Sequence, residues 1–132
     1  MYWRSDYESA LEEARITGRP VFVDFTGYTC TNCRWMEANI FPDPEVSALL
    51  KRHVLVQLYT DGQGEKYEWN RNFQQERFGT VALPFYTIMT PDAKVVTSFP
   101  GLNRDRDVFL QFLRRGLSGY SQAAVPGLSE GT

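Results

Sequence analysis

The fold of this chain is decided by one stretch of sequence, VFVDFTGYTCTNC at residues 21–33. Its opening residues are β-branched or aromatic, with Asp24 as the polar exception, which is typical of a strand buried on both faces of an α/β sheet. A helix is predicted to follow from about Cys30 to Ile40, ahead of two prolines. The cysteines Cys30 and Cys33 therefore lie where a buried strand turns into a helix.

Helices and strands alternate on both sides of this junction. A stretch rich in Glu, Ala and Leu predicts a first helix from Ser5 to Thr17, and an apolar run predicts a second buried strand at residues 54–59. Two parallel strands joined by a helix require a right-handed crossover. Further elements are predicted as helices at residues 45–52 and 66–78, a hairpin of strands at 84–89 and 94–99, and a last helix that starts near Asn103. The sequence thus predicts an α/β fold in which helices flank a central mixed β-sheet.

The length and the end of the chain predict one domain followed by a tail. A chain of 132 residues, 42% of them hydrophobic, can bury one core. We expect this domain to span residues 1–117, ending with a helix that buries one apolar face. From Ser118 onward Gly, Ser, Ala and Pro dominate, so residues 118–132 are predicted to form a flexible C-terminal tail.

Charge and hydropathy exclude several classes of partner. Lys and Arg total 14 against 16 acidic residues, so the formal charge of -2 offers no surface for a phosphate backbone, and we expect no nucleic-acid partner. No apolar run approaches the roughly 20 residues that span a bilayer. The first residues also lack the basic and apolar stretches of a signal peptide. We therefore expect a soluble chain, and a fragment of a larger exported or membrane protein would show the same pattern.

The cysteine pair predicts redox chemistry. The chain has two cysteines, Cys30 and Cys33, and a disulfide between them closes almost no loop, so it would add little stability. A cysteine at the first turn of a helix is favoured as the attacking thiolate, and one a turn further on can resolve the mixed disulfide. The alternatives are a structural pair or half of a zinc site. A structural zinc ion is bound by about four ligands, whereas this chain has two cysteines and a single histidine, His53. We therefore expect no metal and no other cofactor.

Four further residues are candidates for the site. Asp24 lies in an apolar strand, where a buried carboxylate could take the proton of the resolving cysteine; alternatively it ends the strand and reaches water. Glu37 lies one turn beyond Cys33 and could approach the dithiol, although its spacing alone is typical of a solvated residue. Tyr28 could form part of a substrate-facing rim. Pro84 lies at the start of a strand, where it either forms a special turn or is an ordinary trans proline at a sheet edge.

These residues carry a resemblance to a known family. The order of Asp24, the dithiol, Leu83-Pro84 and a terminal helix after Gly101 resembles the thioredoxin superfamily across nearly all of residues 5–117. The stretch from Val23 to Glu37, with FPDPEV at 41–46, is similar to the C-terminal periplasmic domain of DsbD-type thiol:disulfide interchange proteins. In that family a membrane domain passes electrons to this domain, which reduces a second periplasmic domain.

The resemblance implies a function and residue roles. It implies a thioredoxin fold and a protein-disulfide reductase in which Cys30 attacks and Cys33 resolves. It also implies that Asp24 and Glu37 are acids that tune the pKa of the Cys30 thiol. Leu83 and Pro84 become the partner-binding cis-proline turn, with Tyr28 on the same rim.

It also implies a setting for the chain. We expect a monomeric domain at the periplasmic face of the inner membrane that meets the membrane only through other domains of a longer parent chain. Its partners are protein disulfides and dithiols of other redox domains. Two alternatives stay open. One is a free-standing thioredoxin-like reductase of the cytoplasm, and the other is a thioredoxin-fold binding module whose dithiol is incidental.

Overall fold

A computed structural model describes residues 1–101 and 103–124 of the chain. Helices and strands alternate along it, as the sequence predicted. In chain order the elements are β1 (Trp3–Arg4), α1 (Tyr7–Thr17), β2 (Val21–Thr26), α2 (Thr31–Asn39), α3 (Pro44–Leu50), β3 (Val54–Tyr59), α4 (Glu65–Phe78), β4 (Phe85–Met89), β5 (Val95–Pro100) and α5 (Arg106–Ala124).

The strands form one mixed sheet in the order β1-β3-β2-β4-β5. β3 is parallel to β1 and β2, whereas β4 is antiparallel to β2 and β5. The predicted mixed sheet is therefore confirmed. Strand β1 was not predicted, because two residues are too short to show a periodic pattern.

Strand β2 lies at the centre of the sheet and is buried on both faces. Phe22 packs in a core with residues of α2, α3 and α5, whereas Val23 and Phe25 pack in a second core with α1. Side chains alternate between the faces of a strand, so Asp24 lies on the same face as Phe22. That face is the one covered by α2, the helix that carries the dithiol.

Helix α5 is longer than the sequence predicted. It runs to Ala124, so the prediction of a flexible tail from Ser118 is wrong for residues 118–124. Gly119, one of the small residues that suggested a tail, lies against the sheet instead: a Cβ on it would lie 2.8 Å from Cγ1 of Val96. The Tyr120 hydroxyl also donates to the Gly18 carbonyl at 2.8 Å. The rest of the predicted tail, residues 125–132, lies outside the described residues.

None of the helices in the described ranges combines the length and the apolar character needed to cross a bilayer.

Candidate active site

The dithiol lies at the start of α2, as the sequence predicted. Cys30 caps the helix: its Sγ accepts a hydrogen bond from the backbone N–H of Cys33 at 3.1 Å. The two cysteines form a disulfide with their Cα atoms 5.3 Å apart. Cys30 is half-buried and Cys33 is 1% exposed, so Cys30 is the more accessible of the two cysteines. Unpaired amides at a helix N-terminus favour a thiolate there.

Asp61 holds the loop that presents Cys30. Its carboxylate accepts hydrogen bonds from the backbone N–H groups of Tyr28 and Thr29 at 2.9 and 3.1 Å, and from the Thr29 hydroxyl at 3.0 Å. Partial burial acts to raise the pKa of Asp61, but these hydrogen bonds outweigh it and hold the pKa below its usual range. A Cβ on Gly27 would lie 2.8 Å from Oδ2 of Asp61, so glycine permits the close approach. The two residues that Asp61 holds, Tyr28 and Thr29, immediately precede Cys30 in sequence.

Asp24 is buried in β2 rather than at an exposed strand end. It is 1% exposed, and Oδ2 accepts a hydrogen bond from Nε2 of Gln57 at 3.2 Å. Oδ1 has no hydrogen-bond partner among the described residues. Burial raises the pKa of Asp24 to about 7, and the negative charge of Glu37 acts in the same direction. The hydrogen bond from Gln57 and the charge of Arg34 oppose this shift. An acid with this pKa can both accept and release a proton near neutral pH.

Glu37 connects helix α2 to this buried acid. Its Oε2 accepts hydrogen bonds from Nη2 of Arg34 at 2.7 Å and from Nε2 of Gln57 at 3.4 Å. The side chain of Glu37 is 27% exposed, so it is more accessible to solvent than the buried Asp24. Arg34 also donates to Oγ1 of Thr26 at 2.9 Å, which ties the helix to the end of β2. The structure thus places Asp24 and Glu37 in one network, joined by Gln57.

Tyr86 is the remaining ionisable neighbour of Asp24. It is the register partner of Asp24 on β4 and is 1% exposed. Burial raises the pKa of Tyr86, and the charge of Asp24 raises it further. The phenol therefore stays neutral when Asp24 changes its protonation state.

Tyr28 lies on the surface two residues before Cys30. Its side chain is 54% exposed, and its ring stacks on Tyr59 with the centroids 4.0 Å apart. Its hydroxyl lies 3.0 Å from the Tyr67 hydroxyl, and this hydrogen bond raises the pKa of Tyr28 to about 12. These contacts hold an exposed aromatic ring beside the dithiol loop, where the sequence predicted a rim residue.

The Leu83–Pro84 turn packs against the same loop. The peptide bond between these residues is cis, as the resemblance implied. Cδ1 of Leu83 would lie 3.1 Å from a Cβ on Gly27, three residues before Cys30. Pro84 is buried, and its carbonyl accepts a hydrogen bond from the N–H of Gly101 at 3.1 Å.

Three functional residues were missed by reasoning from the sequence. Gln57 stands out in VLVQLY as a polar residue in an apolar strand, the same signal that identified Asp24, so it could have been found. Arg34 and Asp61 carry no such signal, because charged residues are ordinary on a helix and in a loop. Within residues 1–101 and 103–124, no group of three or more His, Cys, Asp or Glu side chains is arranged to hold a metal ion.

Comparisons with known proteins agree with this geometry. A sequence profile of the thioredoxin-like family matches residues 2–91. The thiol:disulfide interchange protein DsbD of Ralstonia nicotianae is 35% identical over 121 residues, which make up 90% of this chain and 19% of that protein. The chain therefore spans about a fifth of the length of this relative.

Solved structures share the fold. A thioredoxin from Thermus thermophilus is 26% identical and superposes with a TM-score of 0.73 over 95% of each chain. The reduced C-terminal domain of Neisseria meningitidis DsbD is 18% identical, with a TM-score of 0.67 over 83% of this chain and 92% of that domain. At that identity the second match shows a common fold alone.

Proposed function

This chain belongs to the thioredoxin-like family and has a thioredoxin fold, and from that premise we propose that it is a thiol–disulfide oxidoreductase that reduces disulfides in partner proteins. One observation carries the proposal: Cys30 at a helix N-terminus is partly exposed, whereas Cys33, one turn further on, is buried in the helix that covers the sheet face of Asp24. This arrangement separates the sulfur that meets the partner from the sulfur that completes the reaction.

The reaction proceeds in two exchanges. The Cys30 thiolate first attacks one sulfur of the partner disulfide, forming a mixed disulfide, and the other partner sulfur leaves as a thiolate that takes a proton from water. Cys33 then gives its thiol proton to the Asp24 carboxylate and attacks Sγ of Cys30. The Cys30–Cys33 disulfide forms, and the second partner sulfur leaves as a thiolate. Two electrons pass to the partner, and the oxidised chain is the state seen in the structure.

The surface around Cys30 provides the partner-binding residues of this proposal. Tyr28 presents an exposed ring on one side of the presenting loop, and Leu83 packs against the same loop from the cis-proline turn. An extended partner segment would lie across Leu83 and Pro84 with its disulfide over Cys30. Glu37 acts through the network, since its contacts are with Arg34 and Gln57.

Activity with a protein disulfide tests this assignment. We expect the reduced chain to reduce the disulfides of insulin, and Cys30→Ser to abolish that activity. Cys33→Ser should instead accumulate a mixed disulfide between Cys30 and the partner, detected by a mass shift that dithiothreitol reverses. A Cys30→Ser variant that keeps full reductase activity would disprove the function. A wild-type dithiol that fails to cycle would favour a binding module instead.

We further propose that the chain is the C-terminal domain of a DsbD-like transmembrane reductase, at the periplasmic face of the inner membrane. The 35% identity covers 90% of this chain but 19% of the relative, which is the relation expected of one domain to a longer protein. Its electron donors and acceptors would then be redox domains of that parent, and the domain itself would act as a monomer.

A free-standing thioredoxin-like reductase is the second candidate, because the Thermus thermophilus thioredoxin matches 95% of each chain. Immunoblotting of fractionated native cells separates the two candidates. The first predicts a membrane-bound band several times heavier than 15.2 kDa, and the second a soluble band near that mass.

A further inference from the structure

Helix α4 supplies a buried hydrogen bond that the proposed chemistry does not use. Nε2 of Gln74 donates to the carbonyl oxygen of Ala82 at 2.8 Å, immediately before the cis turn at Leu83–Pro84. Gln74 is fully buried, and its Oε1 has no hydrogen-bond partner among the described residues. A buried acceptor without a partner lowers stability. An apolar side chain of similar length would not have this cost, so the donor of Gln74 needs a further explanation.

The segment that Gln74 holds has few other hydrogen bonds. Residues 80–83, the turn segment, belong to no helix or strand and form no backbone–backbone hydrogen bond with other described residues. Val81 is 53% exposed, and Ala82 is exposed as well. The N–H of Ala82 donates to Oγ1 of Thr80 at 3.0 Å, which is a bond within the segment. Within the described ranges, the bond from Gln74 is therefore the hydrogen bond that ties the turn segment to another element.

Helix α4 is itself fixed to the sheet. Asn70 lies four residues before Gln74 on the same face of the helix, and its Nδ2 donates to the carbonyl of Tyr59 at the end of β3 at 2.9 Å. Phe73 packs against the core cluster that Leu83 also contacts. The helix thus bonds to the sheet through one buried amide and to the turn segment through the next.

We propose that Gln74 is a positioning residue that holds the Leu83–Pro84 turn in the conformation that receives a partner protein. This inference rests on the proposed function, in which an extended partner segment lies across Leu83 and Pro84 with its disulfide over Cys30. Without the Gln74 donor, the carbonyl of the exposed Ala82 would bond to water and the turn segment would sample more conformations. A partner would then have to order the segment on binding, and this loss of conformational entropy weakens the complex.

Two disulfide substrates distinguish positioning from a general structural effect. Gln74→Met keeps the length of the side chain and removes the donor. We expect it to raise the KM for insulin by roughly three- to tenfold, the equivalent of one hydrogen bond, with kcat unchanged. The same variant should reduce bis(2-hydroxyethyl) disulfide at the wild-type rate, because this small molecule reaches Cys30 without lying across the turn.

Gln75→Met is the matched control for this substitution. It makes the same replacement at the neighbouring, exposed position of α4 and should leave the rates with both disulfides unchanged. A selective loss with insulin in Gln74→Met supports the proposal. An equal loss with both disulfides, or a wild-type KM for insulin, overturns it. Gln74→Asn keeps an amide but shortens its reach by one carbon, so it should show the same selective loss and decides the question if Gln74→Met does not fold.

Backbone motion tests the anchor independently of any reductase activity. The ¹⁵N order parameters of residues 80–83 should be lower in Gln74→Met than in the wild type, which corresponds to larger motion on the ps–ns timescale. Unchanged order parameters would overturn the proposal even if the chain reduces insulin. If the wild-type chain does not reduce insulin, the proposed function fails, and the order parameters still decide whether Gln74 holds the turn.

Discussion

Asp61 shows how a single surface carboxylate can control the dithiol without touching it. Its three hydrogen bonds to Tyr28 and Thr29 fix the backbone immediately before Cys30. We expect Asp61→Ala to slow the reduction of insulin several-fold, because a small displacement of the attacking group costs rate. The loss of these bonds should also lower the free energy of unfolding by about 1 kcal/mol.

Thr29→Val is the matched control for Asp61. It removes the hydroxyl donor at 3.0 Å and leaves both backbone donors in place, so its effect on the rate should be clearly smaller. The measurement is the initial rate of insulin reduction, with unfolding by urea followed in parallel. Equal rates for Asp61→Ala and the wild type would show that the loop is held by other contacts.

At the residue scale, the sequence predicts the residues proposed to react better than the residues that hold them in position. Cys30, Cys33 and Asp24 were found because each is unusual in its setting: two close cysteines at a predicted helix start, and an acid in an apolar strand. Gln57 was equally unusual but lacks a charge, and so was read as part of a strand. Asp61 could not be found, because its role depends on a contact across 32 residues of chain.

At the scale of the elements, helix α5 departs most from expectation. Its glycines, which argue against a helix by propensity, lie where the helix packs against the sheet. A Cβ on Gly116 would lie 2.2 Å from Cδ1 and 3.2 Å from Cγ1 of Ile88, a fully buried residue. Tertiary packing thus explains the small residues, and pattern alone cannot distinguish such a helix from a tail.

Substitution of the two glycines tests this packing. Alanine gains roughly 1 kcal/mol of helix propensity over glycine, but overpacking a core costs about 1–3 kcal/mol. Gly116→Ala should therefore lower the free energy of unfolding by about 1 kcal/mol. Gly119→Ala meets only Cγ1 of the half-buried Val96, at 2.8 Å, and should be neutral or stabilising. Urea denaturation measures the free energy of unfolding of both variants. A Gly116→Ala variant more stable than the wild type would contradict the tight packing of Gly116 against Ile88.

At the scale of the whole molecule, the pattern of elements predicted the mixed sheet and its flanking helices, because the core strands are long and apolar. Hydrophobic periodicity reports burial directly, so it locates β2, β3 and the buried face of α5. It does not report electrostatics. The response of the molecule to pH follows from two buried ionisable groups whose environments became visible only in the structure.

These two groups are His53 and Asp24, both 1% exposed. Nδ1 of His53 contacts the carbonyls of Leu49 and Leu50, and Nε2 has no partner within the described ranges. Burial lowers the pKa of His53 to about 4, whereas burial raises the pKa of Asp24 to about 7. The unfolded chain has the ordinary values of roughly 6.5 for His and 3.9 for Asp.

The two groups should oppose one another in the oxidised protein between about pH 4.5 and 6.5. In this range unfolding binds a proton at His53, so stability rises with pH, and it releases one at Asp24, so stability falls with pH. Each slope is about 1.4 kcal/mol per pH unit. Carboxylates whose pKa values are lowered in the folded state lose their contribution below this range, as the pH falls through their folded pKa.

We therefore expect the wild-type free energy of unfolding to be nearly flat across this range, and to decline from about pH 6.5 to 7 where Asp24 alone still binds an extra proton in the folded state. Asp24→Asn should instead gain stability with rising pH up to about 6.5, and His53→Leu should lose it. Urea denaturation at half-unit pH steps measures all three curves. If the wild-type curve has the same slope as that of Asp24→Asn, then Asp24 ionises in the folded protein at its ordinary pKa. That result would remove the basis for its role as proton acceptor near neutral pH.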